Sequence, residues 1–210
     1  MLLSVLPALI CIILHEMSHG YVAYRLGDNT AKDAGRLTLN PLKHLDIIGL
    51  FSMVYLHFGW AKPVPVNMMN FKEPKRGMAI CALAGPVMNF LITILALFLF
   101  GLLFRPLSTL GTVGGYVIDM LYITAYLSLS LGLFNMVPIP PLDGSKVLFS
   151  LVSDEAYMKL MYYERYGSIV LFALLFLLGR MGISPIGTIT NFFFDKLLVI
   201  AEFGLRLTGL

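Results

Sequence analysis

Residues 78–104 contain no charged side chain, and that run decides the solvent in which this chain folds. A helix rises about 1.5 Å per residue, so a run of this length crosses a hydrocarbon core about 30 Å thick with some tilt. The rest of the chain agrees with it. Of 210 residues, 58% are hydrophobic and 13% charged, against roughly 25% charged in soluble domains. Mean hydropathy is +0.84. A small soluble domain has too much surface for its volume to hide so much apolar area. Disorder is excluded on the same ground. A net charge of +3 with no basic stripe argues against nucleic acid as a partner.

The spans follow from the pattern. Residues 1–26 form a first apolar segment that carries His15, Glu16 and His19. It has no positive leading region and no small-residue cleavage site, so it is expected to be a membrane segment rather than a signal peptide. Residues 27–47 are rich in turn formers. In the mixed region 48–70, Pro63 and Pro65 forbid helix and permit an extended edge strand over 59–67. Residues 78–104 and 112–137 are the second and third spans. Pro138, Pro140 and Pro141 break the helix before Asp143. A short surface helix is expected over 153–165 and a short fourth span over 166–182. Residues 186–208 form either a fifth span or an amphipathic helix in the interface. The fold class is therefore an all-α polytopic membrane protein of about 4–6 transmembrane helices. A small membrane-associated β-strand/loop region lies between the first and second spans. Cys11 and Cys81 sit inside apolar runs and read as small buried hydrophobes, not a disulfide. Eight Lys/Arg fall between residues 25 and 76 and three between 143 and 165, but the 105–111 loop has only Arg105. The positive-inside rule then makes the 25–76 and 143–165 regions cytoplasmic, in a multi-pass protein of the cell membrane.

His15-Glu16-Met17-Ser18-His19 is an H-E-x-x-H motif. On a helix, positions i and i+4 share a face, so the two imidazoles can hold one zinc ion while Glu16 acts as general base on water. Ionisable groups within a span are costly and functional by default. A catalytic zinc wants a third protein ligand and an open position. His44, His57, Asp46, Asp119 and Asp143 are the candidates. Asp119 falls toward the far end of its span. Asp143 is favoured because it follows a proline-broken helix end on the same side as the motif; its alternative role is an N-cap.

These residues resemble the site-2 protease family of intramembrane zinc metalloproteases. The resemblance joins H-E-M-S-H to F-N-M-V-P-I-P-P-L-D-G at residues 134–144. It also takes in N-P-L-K-H-L-D-I-I-G (40–49), G-W-A-K-P-V-P-V-N (59–67) and A-G-P-V-M-N (84–89). It implies one zinc ion per chain on His15, His19 and Asp143, with Glu16 as catalytic base and Asn135 polarising the scissile carbonyl. The chain would be a single membrane-embedded protease domain, core 1–150 with accessory helices over 151–210. It would be a short form with no PDZ-like segment between the motifs.

The remaining positions have physical readings of their own. Asn135 offers an amide donor to an oxyanion, or caps carbonyls freed by Pro138. Lys62, Pro63, Val64, Pro65, Val66 and Asn67 form an edge to which an extended substrate can add, or an interfacial loop anchored by Trp60. Asn89 follows Gly85 and Pro86 by one turn and can bond across helices; its reading is mainly structural, with a role behind the metal ligands as the alternative, and it is grouped with the substrate-binding residues. The expected partners are the bilayer and a transmembrane-helix protein substrate; the oligomeric state is open. Rival classes are a zinc-binding membrane scaffold without peptidase activity, a small ion transporter and a tethered soluble-type zincin. The transporter predicts polar residues along several spans, and the zincin predicts a motif outside the apolar run; neither pattern is present.

Overall fold

The computed structural model describes residues 2–44, 46 and 62–208, which contain helices, two single-turn 3₁₀ segments and no strand. In chain order the helices are α1 (Leu2–Arg25), α2 (Thr30–Asp33), α3 (Pro74–Ser108), α4 (Gly111–Asn135), α5 (Asp143–Ser150), α6 (Asp154–Arg180) and α7 (Pro185–Arg206). Four of them, α1, α3, α4 and α6, are long and apolar enough to cross a membrane.

Helix α3 is the centre of the bundle and touches α1, α4, α5 and α7. Its 35 residues make a rod about 50 Å long. Leu97 and Ala96 pack there with Ala125 and Leu129 of α4 and with Phe194 and Ala201 of α7. Between lipid-bathed helices there is no hydrophobic driving force, so close backbone approach and hydrogen bonds supply the cohesion. Gly101 abuts the Ala201 carbonyl, and a Cβ on Gly204 would lie 2.5 Å from the Phe98 carbonyl. The hydroxyls of Thr93 and Ser128 both donate to the Asn89 carbonyl at 2.9 Å, tying α3 to α4 beside the site.

Two expectations change. The region 153–180 is one helix, not a surface helix followed by a separate span. The charges that interrupt its hydropathy are satisfied along it: Lys159 pairs with Glu155, Glu164 with Lys146, and Arg165 lies over Tyr162 and Tyr166. Residues 62–67 are irregular chain and pair with no strand among the described residues. Pro63 and Pro65 have no N–H to give. Of the remaining donors, Lys62 N bonds the His44 carbonyl, Val64 N the Glu16 carboxylate and Asn67 N the Asp28 carboxylate. The other part of the expected strand region, with Trp60 and His57, lies outside the described residues. Helix α7 is the open case at the C-terminal end. It packs along α3 and α4, and its charges Asp195, Lys196, Glu202 and Arg206 keep it out of the membrane-length set.

Candidate active site

Helix α1 places His15 and His19 one turn apart, their rings edge to face with centroids 4.7 Å apart. Both are nearly buried. The proline-dense stretch after α4 ends α4 at Asn135 and starts α5 at Asp143, which occupies the first helical position; Leu142 is the cap. Gly144 permits that junction, because a Cβ there would collide with the Met136 carbonyl. The turn brings Asp143 Oδ2 to 3.2 Å from His15 Nε2 and 3.2 Å from His19 Nε2. The two ring nitrogens are 3.1 Å apart. Three ligand-type atoms thus form a nearly equilateral triangle.

That triangle fits a metal ion. Zinc with nitrogen and oxygen ligands at about 2.0–2.1 Å in a tetrahedron sets those atoms about 3.3 Å apart. The observed edges agree to within about 0.2 Å, the tolerance expected of a real site. Asp143 Oδ2 is buried without an aligned hydrogen-bond donor, although it faces two ring nitrogens. Burial pushes the Asp143 carboxyl up, but the imidazoles of His15 and His19 outweigh it and hold the group well below the usual carboxylate range. Among the described residues this is the one cluster of His, Cys, Asp or Glu suited to a metal. His44 is elsewhere, buried with Nε2 2.7 Å from the Thr38 carbonyl. Asp46 and Asp119 are outside the cluster too.

The surroundings hold the rings. His19 Nδ1–H donates to the Cys81 carbonyl at 2.8 Å, so in the neutral ring Nε2 would keep a lone pair for a metal. The side-chain amide of Asn89, fully buried on α3, meets His15 Nδ1 at 3.1 Å. Asn89 therefore faces a ligand and not the open side, in contrast to the expected grouping with the substrate-side residues. Gly85, one turn before it, is a cradle: a Cβ there would lie 2.5 Å from both His15 Cε1 and His19 Nε2.

A cavity of about 310 Å³ opens on the triangle. Glu16, Asn135, Pro63, Val64, Val66 and Lys146 are among its lining residues. Glu16 Oε2 accepts from Val64 N at 2.8 Å, which fixes the carboxylate beside the histidines. Asn135 Nδ2 donates to the Leu131 carbonyl one turn back in its own helix at 3.0 Å, not to a carbonyl freed by Pro138, while the residue still faces the cavity. Lys62, Pro65 and Asn67 flank the cavity segment without lining it. Two participants escape a reading of the sequence. Gly85 looks there like a helix-packing glycine, and its role needs the position of α1. Lys146 lies one turn after Asp143, and that i, i+3 spacing was the available signal.

Against known proteins, the model of peptidase family M50 matches residues 108–178. YwhC of Bacillus subtilis (strain 168), whose name describes a zinc metalloprotease, is 38% identical over 192 residues, covering 89% of this chain and 84% of YwhC. The chain belongs to peptidase family M50. This is the site-2 protease family, so the chain is a metallopeptidase and a multi-pass membrane protein. Rip2 of Mycolicibacterium smegmatis (strain ATCC 700084 / mc(2)155) is 29% identical over 80% of this chain, which spans 64% of Rip2. Zinc metalloprotease MJ0392 of Methanocaldococcus jannaschii is 29% identical over 71% of this chain and 34% of MJ0392. No solved structure matches. The family M50 match covers Asn135 and Asp143, and the histidine pair lies upstream of it.

Proposed function

We propose that this chain is an intramembrane zinc metalloprotease that hydrolyses a peptide bond in or near a transmembrane helix of a membrane-protein substrate. The observation that carries the reading is the triangle of His15, His19 and Asp143 on a cavity shared with Glu16, within a bundle of membrane-length helices. Those three residues would hold one zinc ion per chain. When bound, zinc supplies Lewis acidity, polarising a carbonyl and making water acidic enough to react near neutral pH.

The chain's own groups do the rest. Glu16 keeps Oε2 on the Val64 amide, so Oε1 is free to take the proton of the attacking water. The same oxygen then delivers it to the leaving amine. Asn135 has a second amide hydrogen beyond the one on Leu131, which can donate to the carbonyl oxygen as charge develops. A peptide bond within a membrane helix is closed by its own hydrogen bonds, so the substrate must unwind before it reacts. Pro63, Val64 and Val66 offer an extended wall for the unwound segment, continued by Lys62, Pro65 and Asn67. The Lys/Arg density of residues 25–76 supports a site toward the cytoplasmic side of the cell membrane.

The test is Glu16→Gln in proteoliposomes with single-span peptides that carry a helix-weakening residue at mid-span, read by mass spectrometry. The variant is expected to bind zinc as the wild type does and to cleave nothing. Cleavage that survives in Glu16→Gln refutes the assignment.

A further inference from the structure

The four ring nitrogens of His15 and His19, with the Cys81 carbonyl, the Asp143 carboxylate and the Asn89 amide around them, impose a hydrogen-bond polarity. A backbone carbonyl only accepts, so His19 carries a proton on Nδ1 toward Cys81 O, and the neutral ring presents a lone pair at Nε2. His15 Nε2 lies 3.1 Å from that lone pair. If His15 carries its proton on Nε2, that proton points to Asp143 Oδ2 at 3.2 Å and to His19 Nε2 at 3.1 Å, and its Nδ1 accepts from Asn89 Nδ2 at 3.1 Å. In that arrangement Asn89 Oδ1 is buried without a partner. If instead His15 offers Nε2 to a cation, its proton moves to Nδ1 and needs an acceptor there. The group facing Nδ1 is the Asn89 amide, whose two ends are nearly the same size.

We propose that Asn89 is the positioning residue that sets the tautomer of His15, presenting Oδ1 to Nδ1–H so that Nε2 is a lone pair for the metal. Only the carboxamide needs to turn. The backbone of Asn89 is held by Thr93 and Ser128, which both donate to its carbonyl, and Gly132 of α4 brings that helix close against its Cβ. The orphaned Oδ1 gains its partner by the same half-turn. Metal loading and amide orientation are thus one coupled equilibrium. Groups that orient metal-binding histidines commonly contribute 10–100-fold in affinity.

This inference rests on the metalloprotease reading above. The experiment is zinc affinity of the full chain in detergent, by chelator competition, for wild type, Asn89→Leu and Asn89→Asp. Leu has a similar volume and no acceptor; Asp has the same shape and only accepts. Asn89→Leu is expected to weaken zinc about 10–100-fold, and Asn89→Asp to bind within about 10-fold of wild type or more tightly. Equal weakening in both variants reduces Asn89 to packing and overturns the proposal, as does wild-type affinity in Asn89→Leu. Nitrogen-15 NMR of histidine-labelled, zinc-loaded wild type supplies a check that needs no variant at Asn89. His15 should show a protonated Nδ1 and a metal-bound Nε2; the reverse pattern overturns the proposal. A wild type that binds no zinc refutes the metalloprotease reading itself, a result distinct from either of these.

Discussion

Replacing Gly85 with alanine is the sharpest perturbation of the site, because it adds one methyl group and no charge. The added Cβ would stand 2.5 Å from His15 Cε1, 2.5 Å from His19 Nε2 and 2.7 Å from His15 Nδ1. Carbon atoms in contact prefer about 3.5–4.0 Å, so the rings must retreat by about 1 Å. They have little freedom to do so. His19 is held at Nδ1 by Cys81, and His15 by Asn89, each through a bond of 2.8–3.1 Å. Overpacking of this kind costs about 1–3 kcal/mol. A shift of about 1 Å also exceeds by several-fold the roughly 0.2 Å that metal sites tolerate. Zinc affinity should therefore fall by at least about 100-fold, more than the loss of one outer hydrogen bond brings. The assay is zinc competition with a chelator, run beside thermal unfolding in excess chelator to separate fold from site. Gly115→Ala is the control, since nothing lies within 4 Å of a Cβ there. Wild-type zinc affinity in Gly85→Ala would refute the reasoning.

Two further outcomes test the frame around the site. Asp28 is fully buried; burial pushes its carboxyl up, but hydrogen bonds from Thr30, Asn67 and Asn70 prevail and depress it. A depressed carboxyl stabilises the fold above its unfolded value near 4, and the contribution is lost as pH falls through the lower folded value. Asp28→Ala should cost about 1.5–3 kcal/mol at neutral pH and loosen residues 62–70 to hydrogen exchange, with the difference from wild type shrinking below about pH 4. A gap that persists unchanged into strong acid contradicts this. Gly101→Val drives a side chain into the Ala201 carbonyl and should lower thermal stability by about 1–3 kcal/mol while zinc content is retained, because α7 carries no site group. Unchanged melting would show that α7 does not depend on that close approach.

Much of the site was legible because it is local. The spacing of His15, Glu16 and His19 needs only helix periodicity to make sense. Asp143 was harder, since its approach depends on how α5 turns back after Asn135, and residue spacing alone left five candidates open. In the sequence Asn89 and Gly85 read mainly as helix-packing residues, with a role behind the ligands only an alternative for Asn89; their relation to the imidazoles exists only once α3 lies against α1. Pro63 and Pro65 exclude helix, and residues 62–67 are irregular chain. Among the described residues 62–67 there is no ladder: the carboxylates of Glu16 and Asp28 take the Val64 and Asn67 donors that a neighbouring strand would use. Over 153–180, hydropathy was misleading: polar residues that pair along or beside the helix do not end it.

The central claim is that three side chains from two distant parts of the chain share one metal ion. Zinc per chain, measured on purified wild type and Asp143→Ala with His44→Ala as comparison, tests it most directly. The account predicts about one zinc in the wild type and in His44→Ala, and marked loss in Asp143→Ala. Full zinc retention in Asp143→Ala, or loss in His44→Ala instead, would contradict it.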